Sequence, residues 1–299
     1  MTRTDGDTWD ITESVGATAL GVAWSRAQEK DTECPLFIDP FAQLFIDAAL
    51  ERGWRLPPAH MLDRIRAIGG YAASRTKWFD EFFVAAGANG IDQVVILAAG
   101  LDARAWRLPW VDGTVVYEID QPRVLGFKAE TLRKNDVSPA TTYMPVPIDL
   151  RDDWPRALRD AGFDPTEPTA WAAEGLLPYL PAAGQDLLFE RISDLSARGS
   201  RIAVEAFGAD FFDPEYLASR REKLRASQQD GDADDSAFDV ADMWFIEDRT
   251  EVADWLAEHG WDVAAVEAAD LMGRYGRCAA GEVDDATPRT VFVEGQRSC

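Results

Sequence analysis

From residue 93 onward the apolar residues come in short runs of β-strand character, separated by stretches with helical spacing. The runs are QVVILA (93–98), TVVYEID (114–120), TYMPVPID (142–149), TAWAAEG (169–175) and SRIAVEAFG (200–208), with helices predicted at 121–135, 151–161 and 184–198. Val94 to Leu97 is an unbroken apolar stretch, as a strand covered on both faces requires. Strands alternating with helices predict right-handed crossovers and a mostly parallel, doubly wound α/β sheet. Upstream, residues 8–85 read as helical. ESVGATALGVAWSRAQEK sets Val15, Leu20, Val22, Ala23 and Ala27 at helical intervals, and PFAQLFIDAAL and RTKWFDEFFVAAG behave alike. Downstream, a helix at 249–259 precedes two further strands, WDVAAVEA and RTVFVEG, divided by a loop holding Gly273, Gly276 and Gly281.

The pattern divides a single domain of 299 residues into a helical cap (1–90), an α/β core (91–208), a helical insertion (209–247) and a closing helix with a strand hairpin (248–299). The insertion is charged and reads equally as a lid or as a solvated surface helix. Asp230, Asp232 and Asp234 alternate as in a calcium loop, but Asp235 stands where the turn glycine belongs and Ala241 where the bidentate glutamate belongs. Calcium is therefore not expected.

Composition narrows the function classes. A hydrophobic fraction of 46%, with 11 Trp and 15 Phe, supplies a large core and sets the chain apart from disordered proteins. A formal net charge of -23 favours solubility and argues against a nucleic acid partner, whose phosphates need clustered Lys and Arg. Cys34, Cys278 and Cys299 have no zinc spacing and form no disulfide framework, and His60 and His259 are too few for a histidine metal site. The start MTRTDGDTWDITESVG lacks an apolar signal core, and no apolar run approaches about 18 residues. A cytoplasmic protein with no membrane partner is expected.

Four places carry candidate chemistry. Gly100 lets the chain turn sharply after the first strand, and Asp120 ends the second; an acidic residue about twenty positions after a glycine turn suits a ribose. Ala98, Gly100 and Ala103 make a degraded dinucleotide fingerprint, so the pair equally admits NAD, or a surface aspartate with no ligand. Asp149 and Leu150 end the third strand, where a carboxylate and a backbone N–H can meet adenine, or where Asp149 simply N-caps the helix at 151–161. Glu174 follows the fourth strand, where a buried carboxylate would favour a sulfonium, and Tyr179, in the rigid stretch PYLP, lines a substrate pocket or packs. Arg75, in SRTKWFDEFF, either clamps a carboxylate through two parallel hydrogen bonds or lies on the surface.

Together these segments resemble the leucine carboxyl methyltransferase-like family of S-adenosyl-L-methionine (SAM)-dependent methyltransferases, in its branch of actinobacterial type. The resemblance runs over most of the chain, through WDITESVGATAL, DPFAQLF, SRTKWFDEFF, VVILAAGLDARAWRLPW, VYEIDQPRVLGFKAETL, PIDLRDDWPRAL and AEGLLPYLP in that order. It implies a class I, Rossmann-like methyltransferase fold: a seven-stranded, mostly parallel sheet with a C-terminal antiparallel hairpin and helical lid additions. It also implies SAM as cofactor. Arg75 would hold the methionine carboxylate, Gly100 line the cofactor turn, Asp120 take the ribose hydroxyls, Asp149 and Leu150 meet adenine, and Glu174 lie near the methionine part. Ala98 departs from the pattern, standing where the family commonly has glycine.

The implied activity is O-methyl transfer to a carboxylate or acidic hydroxyl of a small-molecule acceptor. An ionised carboxylate needs no base whereas a phenol or alcohol does. No residue stands out as that base, which leans the reading toward an already acidic oxygen. The Gly100–Asp120 pair alone would also tolerate an NAD-dependent oxidoreductase. Arg75, Asp149-Leu150 and the hairpin favour SAM, because a dinucleotide has no amino-acid carboxylate to clamp. Ala98 keeps a third reading in view, a SAM-binding protein lacking catalysis.

Overall fold

The computed structural model describes residues 14–56, 62, 68–213, 215, 216, 218, 243–277 and 288–298. Five strands, β1 (Gln93–Leu97), β2 (Val115–Asp120), β3 (Thr142–Pro147), β4 (Thr169–Ala173) and β5 (Arg201–Ala206), run parallel. With β6 (Trp261–Glu267) and β7 (Val291–Arg297) they form one seven-stranded sheet in the order β3-β2-β1-β4-β5-β7-β6. β7 is antiparallel to both β5 and β6, which realises the expected terminal hairpin. Each predicted strand is present: β1 to β6 are trimmed by one to three residues, and β7 starts and ends two residues later than predicted.

Period-2 alternation assigns the central strands to two cores. Val94 and Ile96 face one side and Val95 and Leu97 the other, so β1 is buried on both faces, as is β4. The first side is covered by α1 (Ser14–Glu29), α2 (Ala42–Glu51) and α3 (Gly69–Ala88), which bring Leu20, Phe45, Phe79 and Phe83 to full or nearly full burial. After β1 comes the short α4 (Arg104–Arg107), and after β2 comes α5 (Pro122–Lys134), which adds Phe127 to the same core. The opposite side is covered by α6 (Trp154–Asp160) and α7 (Ala182–Asp194). There Trp154 meets Trp171 edge-on at 6.3 Å between ring centroids. Burying each such large side chain contributes roughly 1.5–3 kcal/mol.

Among the described residues the N-terminal region holds three helices, one for each helical stretch read from the sequence. Between α1 and α2 the chain passes Pro35 and Pro40, and buried Asp39 accepts the N–H groups of Phe41 (3.0 Å) and Ala42 (3.1 Å) to start α2. Beyond β5, α8 (Ala209–Phe212) and α9 (Val252–Glu258) flank the expected insertion, most of which, with its Asp-rich stretch, lies outside the described residues. The expected loop between β6 and β7 is corrected by α10 (Ala268–Arg274), whose Ala268, Leu271 and Met272 are buried and which takes Gly273 into a helix. Among the described residues no helix is long and apolar enough to cross a membrane.

One charged pair lies inside the sheet–helix interface. Glu118 of β2 and Lys128 of α5 are both fully buried and form an ion pair; Tyr143 donates to the same carboxylate at 2.8 Å. Lys128 also donates to the Asp102 carbonyl at 3.0 Å, tying α5 to the turn after β1. Burial pushes the Glu118 carboxyl up to about 7, against the pull of Lys128. A carboxyl that binds its proton more tightly when folded contributes stability below its unfolded pKa and loses it as pH rises through the folded one. Relative to Glu118→Gln, the wild type is therefore expected to lose on the order of 1–3 kcal/mol between pH 4.5 and 7. Urea unfolding of both proteins across that range measures this, and parallel pH profiles would contradict it.

Candidate active site

The parallel strands deliver their carboxyl ends to one edge of the sheet, and the turns that follow enclose a cleft of about 350 Å³. That is within the range of roughly 300–1,000 Å³ common for small-molecule sites. α1 closes one side through Ala19, Val22 and Arg26. All seven residues singled out from the sequence, Arg75, Gly100, Asp120, Asp149, Leu150, Glu174 and Tyr179, line this one cleft.

The turn after β1 forms its floor. Ala98 and Gly100 both take left-handed backbone, with φ of 48° and 51°. For alanine this conformation costs roughly 1–2 kcal/mol, which accounts for the advantage of glycine at position 98. The turn is held from below by Asp120. Its Oδ2 accepts the Gly100 N–H and its Oδ1 the Gln121 N–H, each at 2.6 Å. Asp120 is thus no plain surface aspartate. Burial raises its carboxyl pKa although both N–H bonds oppose the rise.

Asp149 is not the cap of α6. Asp153 takes that role, accepting the Arg156 N–H at 3.3 Å. Asp149 instead accepts two bonds from the Arg151 guanidinium, at 2.9 and 2.8 Å, and one from Gln121 at 3.1 Å. Beside it Val124, Ile148 and Leu150 give the cleft an apolar slot.

At the other end runs a row of alternating charges. Arg26 contacts Asp39 at 2.9 Å and donates to the Leu101 carbonyl at 2.5 Å; Arg107 lies 4.0 Å from Asp39 and bonds Asp80 at 2.6 and 2.7 Å. Asp80 accepts from Arg104 at 2.7 Å, and Arg104 bonds Asp102 and, at 2.8 Å, Glu174. Glu174 then lies 2.9 Å from Arg75 Nε, and Arg75 Nη1 donates to both oxygens of Glu205 at 3.3 and 3.2 Å. Four guanidinium groups alternate with four carboxylates, and Asp102 branches from Arg104 as a fifth, leaving one negative charge in excess. Burial works against Asp102, but Arg104 and Lys128 outweigh it and hold its carboxyl below the usual range. Burial likewise works against charging Arg75, yet Glu205 and Glu174 raise its pKa further.

The remaining wall is aromatic. Phe207, Phe211, Trp244 and Tyr179 line it, with ring centroids of Phe207 and Phe211 at 4.8 Å and of Phe211 and Trp244 at 5.1 Å. The loop carrying Tyr179 is braced by the Phe245 N–H on the Pro178 carbonyl (2.9 Å) and by Arg249 on the Leu177 carbonyl (2.9 Å). Among the described residues no histidine lines the cleft. Glu205, Arg104, Asp80 and, in the aromatic wall, Phe207, Phe211 and Trp244 were not identified from the sequence. For Glu205 a signal existed, a carboxylate inside the otherwise apolar strand IAVEA.

The family model described as leucine carboxyl methyltransferase matches residues 19–193. A protein of Mycolicibacterium paratuberculosis, named "Putative S-adenosyl-L-methionine-dependent methyltransferase", is 52% identical over 313 residues, covering 100% of this chain and 98% of its own. A protein of Mycobacterium tuberculosis with the same name is 50% identical, covering 100% and 99%. Among solved structures, a DUF574 family protein of Streptomyces avermitilis matches with a TM-score of 0.54 at 16% identity, over 94% of this chain and 97% of that one. A structure described as a putative methyltransferase from Thermobifida fusca matches at 0.51 and 17% identity, over 94% of each chain. The chain belongs to the leucine carboxyl methyltransferase family and is a SAM-dependent methyltransferase.

Proposed function

We propose that the protein transfers a methyl group from SAM to an oxygen, a carboxylate or acidic hydroxyl, of a small-molecule acceptor. The observation that carries this reading is the chemistry of the two ends of the cleft. At one end Asp120, anchored under the Gly100 turn, keeps lone pairs for the two hydroxyls of a ribose. At the other, Arg75 and Glu174 offer a cation and an anion to the carboxylate and ammonium of an amino acid, and the excess negative charge suits a sulfonium. Arg26 and Arg151, which also line the cleft, are each already engaged by carboxylates, which leaves poor support for the two phosphates of a dinucleotide.

SAM supplies an electrophilic methyl on a sulfonium; the S–CH₃ bond breaks as the O–CH₃ bond forms, and the sulfur keeps the electron pair. The chain's contribution is to hold donor and acceptor in line and to exclude water, a gain that arises from proximity. The aromatic wall of Phe207, Phe211 and Trp244 is suited to the acceptor's apolar body, with Tyr179 at its rim. An ionised acceptor oxygen needs no proton removed, consistent with the lack of histidine among the described lining residues.

Calorimetry with SAM, S-adenosylhomocysteine and NAD is expected to show micromolar binding of the first two alone, weakened about 100-fold or more by Asp120→Ala, the scale of two charge-assisted hydrogen bonds. Binding of NAD in preference would overturn the reading. Tyr179→Ala is expected to raise the acceptor KM about 10-fold while leaving SAM affinity within about 2-fold, since its contact belongs to the acceptor. Equal weakening of both would remove Tyr179 from the acceptor pocket. With a carboxylate acceptor, kcat is expected to stay flat from about pH 6 to 9, because neither acceptor nor enzyme titrates a required proton. A profile with a rising acid limb in that range would show that a base is needed.

A further inference from the structure

We propose that Glu205 is a positioning residue for the amino-acid end of the cofactor, gripping one edge of Arg75 so that the other edge faces a ligand carboxylate. The inference rests on the SAM reading above. Glu205 lies in β5, 1% exposed, where a carboxylate without partners would be strongly unfavourable. Three donors converge on it. The Tyr71 hydroxyl and Arg75 Nη1 reach it from α3, and the Gly175 N–H reaches it at 2.7 Å from the turn after β4. Gly175 takes left-handed backbone at φ +63°, and a β-carbon there would lie 3.7 Å from both Arg75 Nη1 and Glu205 Oε2. That contact would be ordinary, so it is the left-handed backbone, which glycine adopts without strain, that calls for glycine here. The Tyr71 hydroxyl, 2.9 Å from Thr290 Oγ1, has its pKa raised well above the usual value by burial and by Glu205, so it remains a donor.

These bonds divide the Arg75 guanidinium. Nη1 is committed to Glu205. Nε lies 2.9 Å from Glu174 but its N–H is not aligned for a hydrogen bond there, and no group among the described residues bonds Nη2. The side chain keeps 12% of its surface accessible within the cleft. Glu174 is held more firmly by Arg104, at 2.8 Å, than by Arg75. A zwitterion can therefore enter between Arg75 and Glu174, its carboxylate on Nη2 and its ammonium on Glu174, while Glu205 and Arg104 hold the two receiving groups in place.

The test compares S-adenosylhomocysteine with 5′-methylthioadenosine, which carries the same adenosine but no amino-acid end, by calorimetry. Glu205→Gln is expected to weaken S-adenosylhomocysteine about 10-fold or more and methylthioadenosine less than about 2-fold. In an Arg75→Met background the same change is expected to add less than about 2-fold, since Glu205 acts through Arg75. If circular dichroism shows that Glu205→Gln does not fold, Glu205→Asp, which keeps the charge but withdraws it, takes its place with the same expectation. Equal weakening of both ligands, or a full effect on S-adenosylhomocysteine without Arg75, would overturn the inference and leave the cofactor reading intact. Wild-type protein that binds neither ligand would overturn both.

Discussion

The cleft depends on a row of buried charges that alternate in sign across elements far apart in the chain. Arg26 comes from α1, Asp39 from the turn before α2, Arg75 and Asp80 from α3, Asp102, Arg104 and Arg107 from the segment after β1, Glu174 from the end of β4 and Glu205 from β5. Each of these groups alone would resist burial by several kcal/mol, so each is stable only with its neighbours in place. Removing one member strands the two beside it. The row therefore acts less as a source of net stability than as a registry device, fixing the helical cap against the carboxyl edge of the sheet. Its surplus carboxylate makes the same device a seat for a cation.

The second constraint is the sheet itself. A parallel sheet buried on both faces brings the ends of β1, β2, β4 and β5 within reach of one ligand, at the point where strand order reverses between β1 and β4. Strained backbone at Ala98 is confined to that point, held by Asp120 from below and by Lys128 through the Asp102 carbonyl. The polar end and the aromatic wall then divide the work: one orients a donor, the other takes an acceptor, and alignment between them is what the chemistry requires.

Much of this was legible in the sequence where a local rule applied. β1 was clear because four successive apolar residues can be buried on both faces only in a covered strand. Gly100 and Asp120 were legible as a turn glycine and a strand-ending acid about twenty residues apart in a parallel βαβ unit, but what they hold was left open between SAM, NAD and no ligand. The short α10 was missed because AADLMGR is followed by Gly276 and carries Gly273, local signals that burial of Leu271 and Met272 overrides. Asp149 was open between cap and ligand group because Asp152 and Asp153 follow it, and only geometry shows that Asp153 caps. The ion row was illegible for a deeper reason. Arg75 and Glu205 are 130 residues apart, and no pattern of period or spacing encodes which charges tertiary packing will join. The buried acids did leave a trace, since Glu118 and Glu205 both interrupt apolar strands.

The most direct measurement is a crystal structure of the protein saturated with S-adenosylhomocysteine. The ligand's ribose is expected on Asp120 and its carboxylate on Arg75 Nη2, with Glu174 still bonded to Arg104 while its contact with Arg75 gives way to the ligand's ammonium. A ligand whose amino-acid end turns away from Arg75, or whose adenosine lies against Phe207 and Trp244, would contradict it.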